Sequence, residues 1–153
     1  VIYNAAISAA ARGEQWECAL SLLAEMQRRA LQADAYSYNA AAAACGEQQQ
    51  WEVALHLLAE MRRLRVEADT VSYNAVLSAC SGGKRWALVP ELLHEMRRSS
   101  IVPDVISFSA AIASCAVGRR WEEALELLGA ARRGRTEPDA AACGAAIASC
   151  QAA

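Results

Sequence analysis

The four tryptophans of this chain stand at positions 16, 51, 86 and 121, three successive steps of 35 residues without an insertion. Asp34, Asp69, Asp104 and Asp139 keep the same step, as do Met26, Met61 and Met96. One phrase recurs with them: IYNAAISAA at 2–10, SYNAAAAAC at 37–45, SYNAVLSAC at 72–80 and SFSAAIASC at 107–115, with a more altered ACGAAIASC at 142–150. A fixed period between about 20 and 50 residues marks a repeat array, because one such unit cannot bury its apolar face without a neighbour. The 153 residues therefore predict one stacked solenoid, and 55% hydrophobic residues supply material for a continuous core.

Within one unit the apolar spacing is helical. Tyr38, Ala41, Ala42 and Cys45 fall at i, i+3, i+4 and i+7, the stripe of one helix face. Tyr73, Val76, Leu77 and Cys80, then Phe108, Ala111, Ile112 and Cys115, repeat it. A second helix reads Trp51, Ala54, Leu55, Leu58 and Met61, with Arg62, Arg63 and Arg65 crowding its end, where the helix dipole favours cations. Gly46 is expected to end the first helix, as Gly13, Gly82 or Gly83 and Gly118 do in other units, in the left-handed conformation common after a helix C-terminus. Small residues in the first helix let neighbours approach closely, and the Trp that opens the second is expected to plug the gap between paired helices. Pro90 stands where other units have Leu20, Leu55 and Leu125. An interior proline costs about 3 kcal/mol, which predicts a kink or a late helix start there. Gly129 and Ala131 replace better-packing residues in the fourth unit, so its second helix should fray more readily.

The repeats divide as 1–34 (first residue missing), 35–69, 70–104, 105–139, and 140–153 as the first helix of a truncated fifth. The chain opens without Met inside one repeat and stops inside another, so we read it as a segment of a longer protein. No apolar run approaches the roughly 18 residues of a membrane span, and no signal-peptide pattern is present. Cys45, Cys80, Cys115 and Cys150 share one repeat position. Equivalent positions on stacked helices lie roughly 9–10 Å apart, too far for a disulfide, which needs Cα atoms within about 7 Å. With no CxxC or HxxxH spacing, they read as small buried apolar residues rather than metal ligands. Cys18 and Cys143 fall elsewhere in the repeat.

A 35-residue helix pair with Tyr38-Asn39 near its start, Ala54-Leu55 in its second helix, Met61 near its end and a closing Asp69 resembles the pentatricopeptide repeat family. Tyr73-Asn74, Met96 and Pro103-Asp104 carry the resemblance in the third unit, Ala124-Leu125 and Pro138-Asp139 in the fourth. Tetratricopeptide repeats have a period of about 34 and a different signature. Ala33 and Ala68 depart from the usual Pro before Asp, and the usual connector Gly is missing from most units.

The resemblance implies an all-α, right-handed α-solenoid of helix-turn-helix repeats that binds single-stranded RNA at one base per repeat. It implies that the fifth residue of each repeat selects the base together with the last: Asn4 with Asp34, Asn39 with Asp69, Asn74 with Asp104, and Ser109 with Asp139. Asn with Asp favours uracil in the family and Ser with Asp guanine, which reads 5′-UUUG-3′. Val1, Tyr36, Val71 and Ile106, three positions before the selectors, would sandwich the bases. Gly144 takes the fifth selector position. An Asn amide offers both a donor and an acceptor to uracil, and a neighbouring carboxylate can orient it. Asp is also a helix N-cap residue and can serve both roles, whereas Asn falls a turn too late to cap.

The formal net charge is only −2, against the basic face typical of RNA binders. Cations gather at inter-helix turns (Arg12, Lys84, Arg85, Arg119, Arg120) and at second-helix ends (Arg28, Arg63, Arg98, Arg133). His56 and His94, the only histidines, read as surface residues, and Glu25, Glu60 and Glu95 as a solvated face. No Ser-His-Asp set, phosphate-cradling loop or HxE…CxxC deaminase signature is evident, so an enzyme is not expected, nor a cofactor, metal or small-molecule substrate. The expected partner is single-stranded RNA, with RNA processing, stability or translation as the role. The rival expectation is a protein-binding helical scaffold whose Ala-lined groove takes a peptide partner. The resemblance points to plastid or mitochondrion.

Overall fold

The computed structural model describes residues 2–48, 50–81, 85–134, 136 and 138–151. Among them every regular element is helical: α1 (Ile2–Arg12), α2 (Trp16–Arg28), α3 (Ala35–Glu47), α4 (Trp51–Arg63), α5 (Thr70–Ser81), a 3-10 turn (Trp86–Leu88), α6 (Val89–Arg98), α7 (Val105–Val117), α8 (Trp121–Arg133) and α9 (Ala140–Gln151). None is long and apolar enough to cross a membrane. The chain forms two compact units, Val1–Ala79 and Cys80–Ala153.

In the first unit α1 packs against α2 and α3, and α3 against α2 and α4. The apolar stripe read from sequence is the buried one. Tyr38, Ala41, Ala42 and Cys45 of α3 are buried, as are Ala54, Leu58 and Met61 of α4, whereas Trp51 and Leu55 are half-buried and Leu57, outside the stripe, is buried. Each large side chain withdrawn from water in this way stabilises by about 2 kcal/mol. Alanine, the best helix former, lets the backbones come close. At Gly46 the approach is so tight that a β-carbon would lie 3.0 Å from the Ala75 carbonyl oxygen.

The buried tyrosines have their polar tips satisfied by the preceding second helix, as buried phenols require. Tyr38 Oη accepts from Gln27 Nε2 at 2.9 Å. Tyr73 Oη accepts from Arg62 at 2.6 Å, and the same guanidinium lies over the ring, 5.9 Å from its centroid. In the second unit Phe108 has no hydroxyl, and Arg97 covers its ring at 6.0 Å.

There α7 packs against α8 and α9, with Ile112, Cys115, Ala124, Ala142 and Ala146 forming a core cluster. Of kink and late start at Pro90, the late start is found. Trp86–Leu88 makes a 3-10 turn and α6 begins at Val89, which puts the proline in the first turn, where its missing N–H leaves no helix bond unmade. Helix α6 is thus 10 residues long where α2 and α4 have 13. Helix α8 keeps 13 residues despite Gly129, with Ala131 fully buried.

The glycine expectation needs correction. No glycine has positive φ among the described residues; the left-handed positions belong to Glu14, Ala30, Arg65, Ser100 and Arg119. Gly46 lies inside α3 and Gly118 is right-handed at φ −80°. Gly82 and Gly83 lie outside the described residues. Ala30, Arg65 and Ser100 close α2, α4 and α6 alike. The next residue's N–H reaches back five residues to the Met26, Met61 or Met96 carbonyl at 2.8–2.9 Å, the Schellman pattern. This backbone pattern recurs at the ends of α2, α4 and α6, with no glycine to relieve it.

Trp16, Trp51 and Trp86 are half-buried, and Trp121 is exposed. The cysteines also depart in part from expectation. Cys45, Cys80 and Cys115 are buried and free, whereas Cys150 is exposed.

Candidate functional site

Helices α3, α5, α7 and α9 begin one residue after Asp34, Asp69, Asp104 and Asp139, and each carboxylate caps its helix. Asp34 Oδ1 accepts the Ser37 N–H at 3.0 Å, Asp69 Oδ1 the Ser72 N–H at 2.9 Å, Asp104 Oδ1 the Ser107 N–H at 3.0 Å and Asp139 Oδ1 the Ala142 N–H at 2.8 Å. A cap of this kind contributes about 1 kcal/mol. For Asp69 and Asp104 it is reciprocal: the serine hydroxyl accepts the aspartate's own N–H at 3.1 and 3.2 Å.

The same carboxylates meet the selector side chains. Asn4 Nδ2 donates to Asp34 Oδ1 and Oδ2 at 3.2 and 3.0 Å, Asn39 Nδ2 to Asp69 Oδ1 at 3.1 Å, and Ser109 Oγ to Asp139 Oδ1 at 3.1 Å. Capping and contact with the selector therefore coexist on one aspartate. Asn74, buried on α5, and Asp104, the N-cap of α7, fall in different units.

Ser37 and Ser72 were not among the residues singled out from sequence. Ser37 Oγ lies 2.6 Å from Asn4 Oδ1 and 2.9 Å from Asp34 Oδ1, and Ser72 Oγ 2.6 Å from Asn39 Oδ1 and 3.0 Å from Asp69 Oδ1, so each hydroxyl proton is shared between the amide oxygen and the carboxylate. The serine is buried, 0% and 2% exposed, while Asp34 and Asp69 are open to solvent. Their recurrence at the 35-residue step was visible, but the spacing also fits a second helix-start residue, and nothing local tied them to Asn.

The hydrogen bonds act on the carboxylates. The Ser37 backbone N–H does most to hold Asp34 below the usual carboxylate range, with help from the Ser37 hydroxyl and the Asn4 amide, against partial burial. For Asp69 burial is the largest single influence and pulls upward. The Ser72 N–H and hydroxyl and the Asn39 amide together outweigh it, and its pKa too is lowered.

Asn39 and Asp69 sit at an open groove of about 520 Å³ in the first unit, lined also by Tyr36, Ala40 and Val71 with Ser8 and Arg12. Tyr36 and Val71 are exposed, and Tyr36 Oη donates to Ser8 Oγ at 3.3 Å. Ile106 is exposed in the second unit, and Val1 lies outside the described residues. Gly144 is exposed, and a β-carbon there would touch nothing.

Of the turn cations, Arg12 borders the groove. Arg120 is engaged elsewhere, paired with Glu123 and 5.7 Å above the Trp86 ring; Lys84 lies outside the described residues. Arg63 pairs with Glu60 at 3.4 Å. His56 and His94 are exposed, and among the described residues no group of three or more His, Cys, Asp or Glu could hold a metal.

Comparison with known proteins bears on this arrangement. The PPR repeat family model matches residues 68–117, the pentatricopeptide repeat domain model residues 21–84, and the PPR repeat model residues 1–31 and 106–133, together an unbroken span from 1 to 133. No curated protein matches significantly. Among solved structures, the chain is similar to the pentatricopeptide repeat protein PPR10 in complex with an 18-nt psaJ RNA element, with 27% identity and a TM-score of 0.80 over 98% of this chain and 22% of that one. PPR10 from maize, in a further crystal structure, matches with 24% identity and a TM-score of 0.58 over 97% of this chain and 26% of that one. The PPR domain of Arabidopsis thaliana protein-only RNase P 1, in complex with tRNA, is 14% identical with a TM-score of 0.84 over 95% of this chain and 77% of that one, a likeness of fold. The chain thus spans about a fifth of the length of the first of these relatives. Its 35-residue helix pairs, its α-solenoid fold class and its family matches agree: the chain belongs to the pentatricopeptide repeat family.

Proposed function

We propose that the chain binds single-stranded RNA at one base per repeat, in the order 5′-UUUG-3′. The observation that carries this reading is the repeated polar contact at a helix start, Asn4 to Asp34, Asn39 to Asp69 and Ser109 to Asp139. The Asn39–Asp69 contact borders an open groove walled by Tyr36 and Val71. A base edge can meet the amide while its faces meet the flanking tyrosine and valine, a combination that reads single strands. The 27%-identical relative in complex with an RNA element supports the partner class. Asn74 with Asp104 extends the series by sequence register. Action is by occupancy, protecting or remodelling a transcript in plastid or mitochondrion, without chemistry of its own.

The net charge of −2 favours a second reading, a helical scaffold for a peptide. Fluorescence anisotropy of labelled RNA containing UUUG against AAAC, over a salt series, separates the two. Preference for UUUG that weakens with salt and is lost in Asn39→Ala/Asn74→Ala supports modular readout. Equal binding of both RNAs leaves only phosphate contact, and no binding at low salt favours the scaffold.

A further inference from the structure

We propose that Ser37 and Ser72 are positioning residues that set base specificity, each locking the amide of the preceding repeat's asparagine in one orientation. The inference rests on the RNA reading above and names what makes its uracil preference selective. Two oxygens 2.6 Å apart, Ser72 Oγ and Asn39 Oδ1, need a hydrogen between them, and the hydroxyl, whose proton also reaches Asp69 Oδ1 at 3.0 Å, is the group that has one. At the other end of the amide, Nδ2 donates to Asp69. The same pair of contacts holds Asn4 between Ser37 and Asp34. Turning the amide over would set its oxygen against a carboxylate, and would turn the serine hydroxyl from donor to acceptor, leaving its proton to the aspartate alone. Of the two restraints the serine's is the better shielded. The aspartates face water, which competes for the amide, whereas the serine hydroxyls are at most 2% exposed.

A fixed amide has one N–H and one carbonyl lone pair left for a ligand. Uracil answers with a carbonyl oxygen and N3–H; cytosine carries the reverse, an acceptor at N3 and a donor at N4. Preference for uracil over cytosine therefore reports the orientation of the amide. The pattern of substitution agrees. A serine stands 33 residues after each asparagine selector, Ser37 after Asn4, Ser72 after Asn39 and Ser107 after Asn74, whereas Ala142 follows Ser109. A hydroxyl selector rotates to suit its partner and has no second end to hold.

The test compares the wild-type chain with Ser37→Ala/Ser72→Ala and Ser37→Thr/Ser72→Thr. Anisotropy is read on labelled RNA containing UUUG or CCUG, and the side-chain amide protons of Asn4 and Asn39 are followed by NMR without RNA. The alanine variant is expected to lose roughly three- to tenfold of the U-over-C preference per position, the worth of one net hydrogen bond. Its asparagine amide signals should shift and exchange faster with water, while the threonine variant, which keeps the hydroxyl, retains the preference. A wild type that prefers U, with an alanine variant that prefers it equally, overturns the positioning role and leaves the RNA reading standing. Unchanged amide signals overturn the clamp itself. A wild type that binds both RNAs alike, or neither, overturns the RNA reading and the proposal with it.

Discussion

Gly118 lies against the face of the Trp86 indole so closely that a β-carbon on it would sit 2.6 Å from Cε3 and 2.7 Å from Cδ2. Arg120 also contacts the ring, its guanidinium 5.7 Å from the centroid. The glycine's φ of −80° is open to any residue, so contact rather than backbone conformation requires glycine here. Gly118→Ala must displace a bulky half-buried ring, an overpacking expected to cost about 1–3 kcal/mol. Urea unfolding followed by circular dichroism reads the loss, and tryptophan fluorescence the displaced ring. Gly13→Ala is the control, since its β-carbon would make only ordinary contacts at 3.5 Å and beyond.

Ala30, Arg65 and Ser100 hold φ between 55° and 59°, a conformation that costs an L-residue about 1–2 kcal/mol relative to glycine. Glycine also has more freedom to lose on folding, which offsets part of the gain. Each of Ala30→Gly and Ser100→Gly is therefore expected to stabilise by roughly 0.5–1 kcal/mol. The thermal midpoint should rise with each, and further with both. Lower midpoints would mean that contacts of the lost side chains outweigh the backbone strain.

Asp34 and Asp69 have carboxyl pKa values below their ordinary range. A group whose folded pKa is depressed adds stability that is present above its unfolded value, about 3.9, and is lost as pH falls through the folded value. The urea midpoint should thus be level above about pH 5 and fall below about pH 4. Asp34→Asn/Asp69→Asn, which keeps a capping side chain without the titrating charge, should show a shallower acid limb.

Burial pushes the thiols of Cys45 and Cys80 up to about 11, and burial first raises that of Cys115 as well. The thiolate is the reactive form. At pH 8 a disulfide-exchange reagent should therefore modify the exposed Cys18 and Cys150 quickly. The three buried cysteines should follow only at the rate at which the helices open, readable residue by residue by mass spectrometry of timed samples.

Helix positions were legible because period carries that information. A stripe at i, i+3, i+4 and i+7, repeated every 35 residues, leaves little choice of face, and Tyr38, Ala41, Ala42 and Cys45 are buried together. Pro90 was legible for a similarly local reason, since a proline's missing N–H constrains its own helix whatever surrounds it. The glycines misled, because glycine answers two demands, positive φ and close approach, and sequence does not say which applies. At Gly46 and Gly118 it was approach. The candidate site was half legible: Asn and Asp stood out by their register, while the serines that hold the amides act 33 residues away on the next helix.

What this chain's sequence determined by itself was periodic and local: the helix pair, its boundaries to within a residue or two, the buried stripe, and the aspartate at each first-helix start. The tertiary structure decided whatever depended on a distance between repeats. It brought Ser37 and Ser72 to 2.6 Å from the asparagine oxygens and set the Trp86 ring against Gly118. The physical reason is that helix formation and capping satisfy groups a few residues apart, whereas orientation of an amide or exclusion of a β-carbon depends on atoms that only the stacking of one repeat on the next brings into contact.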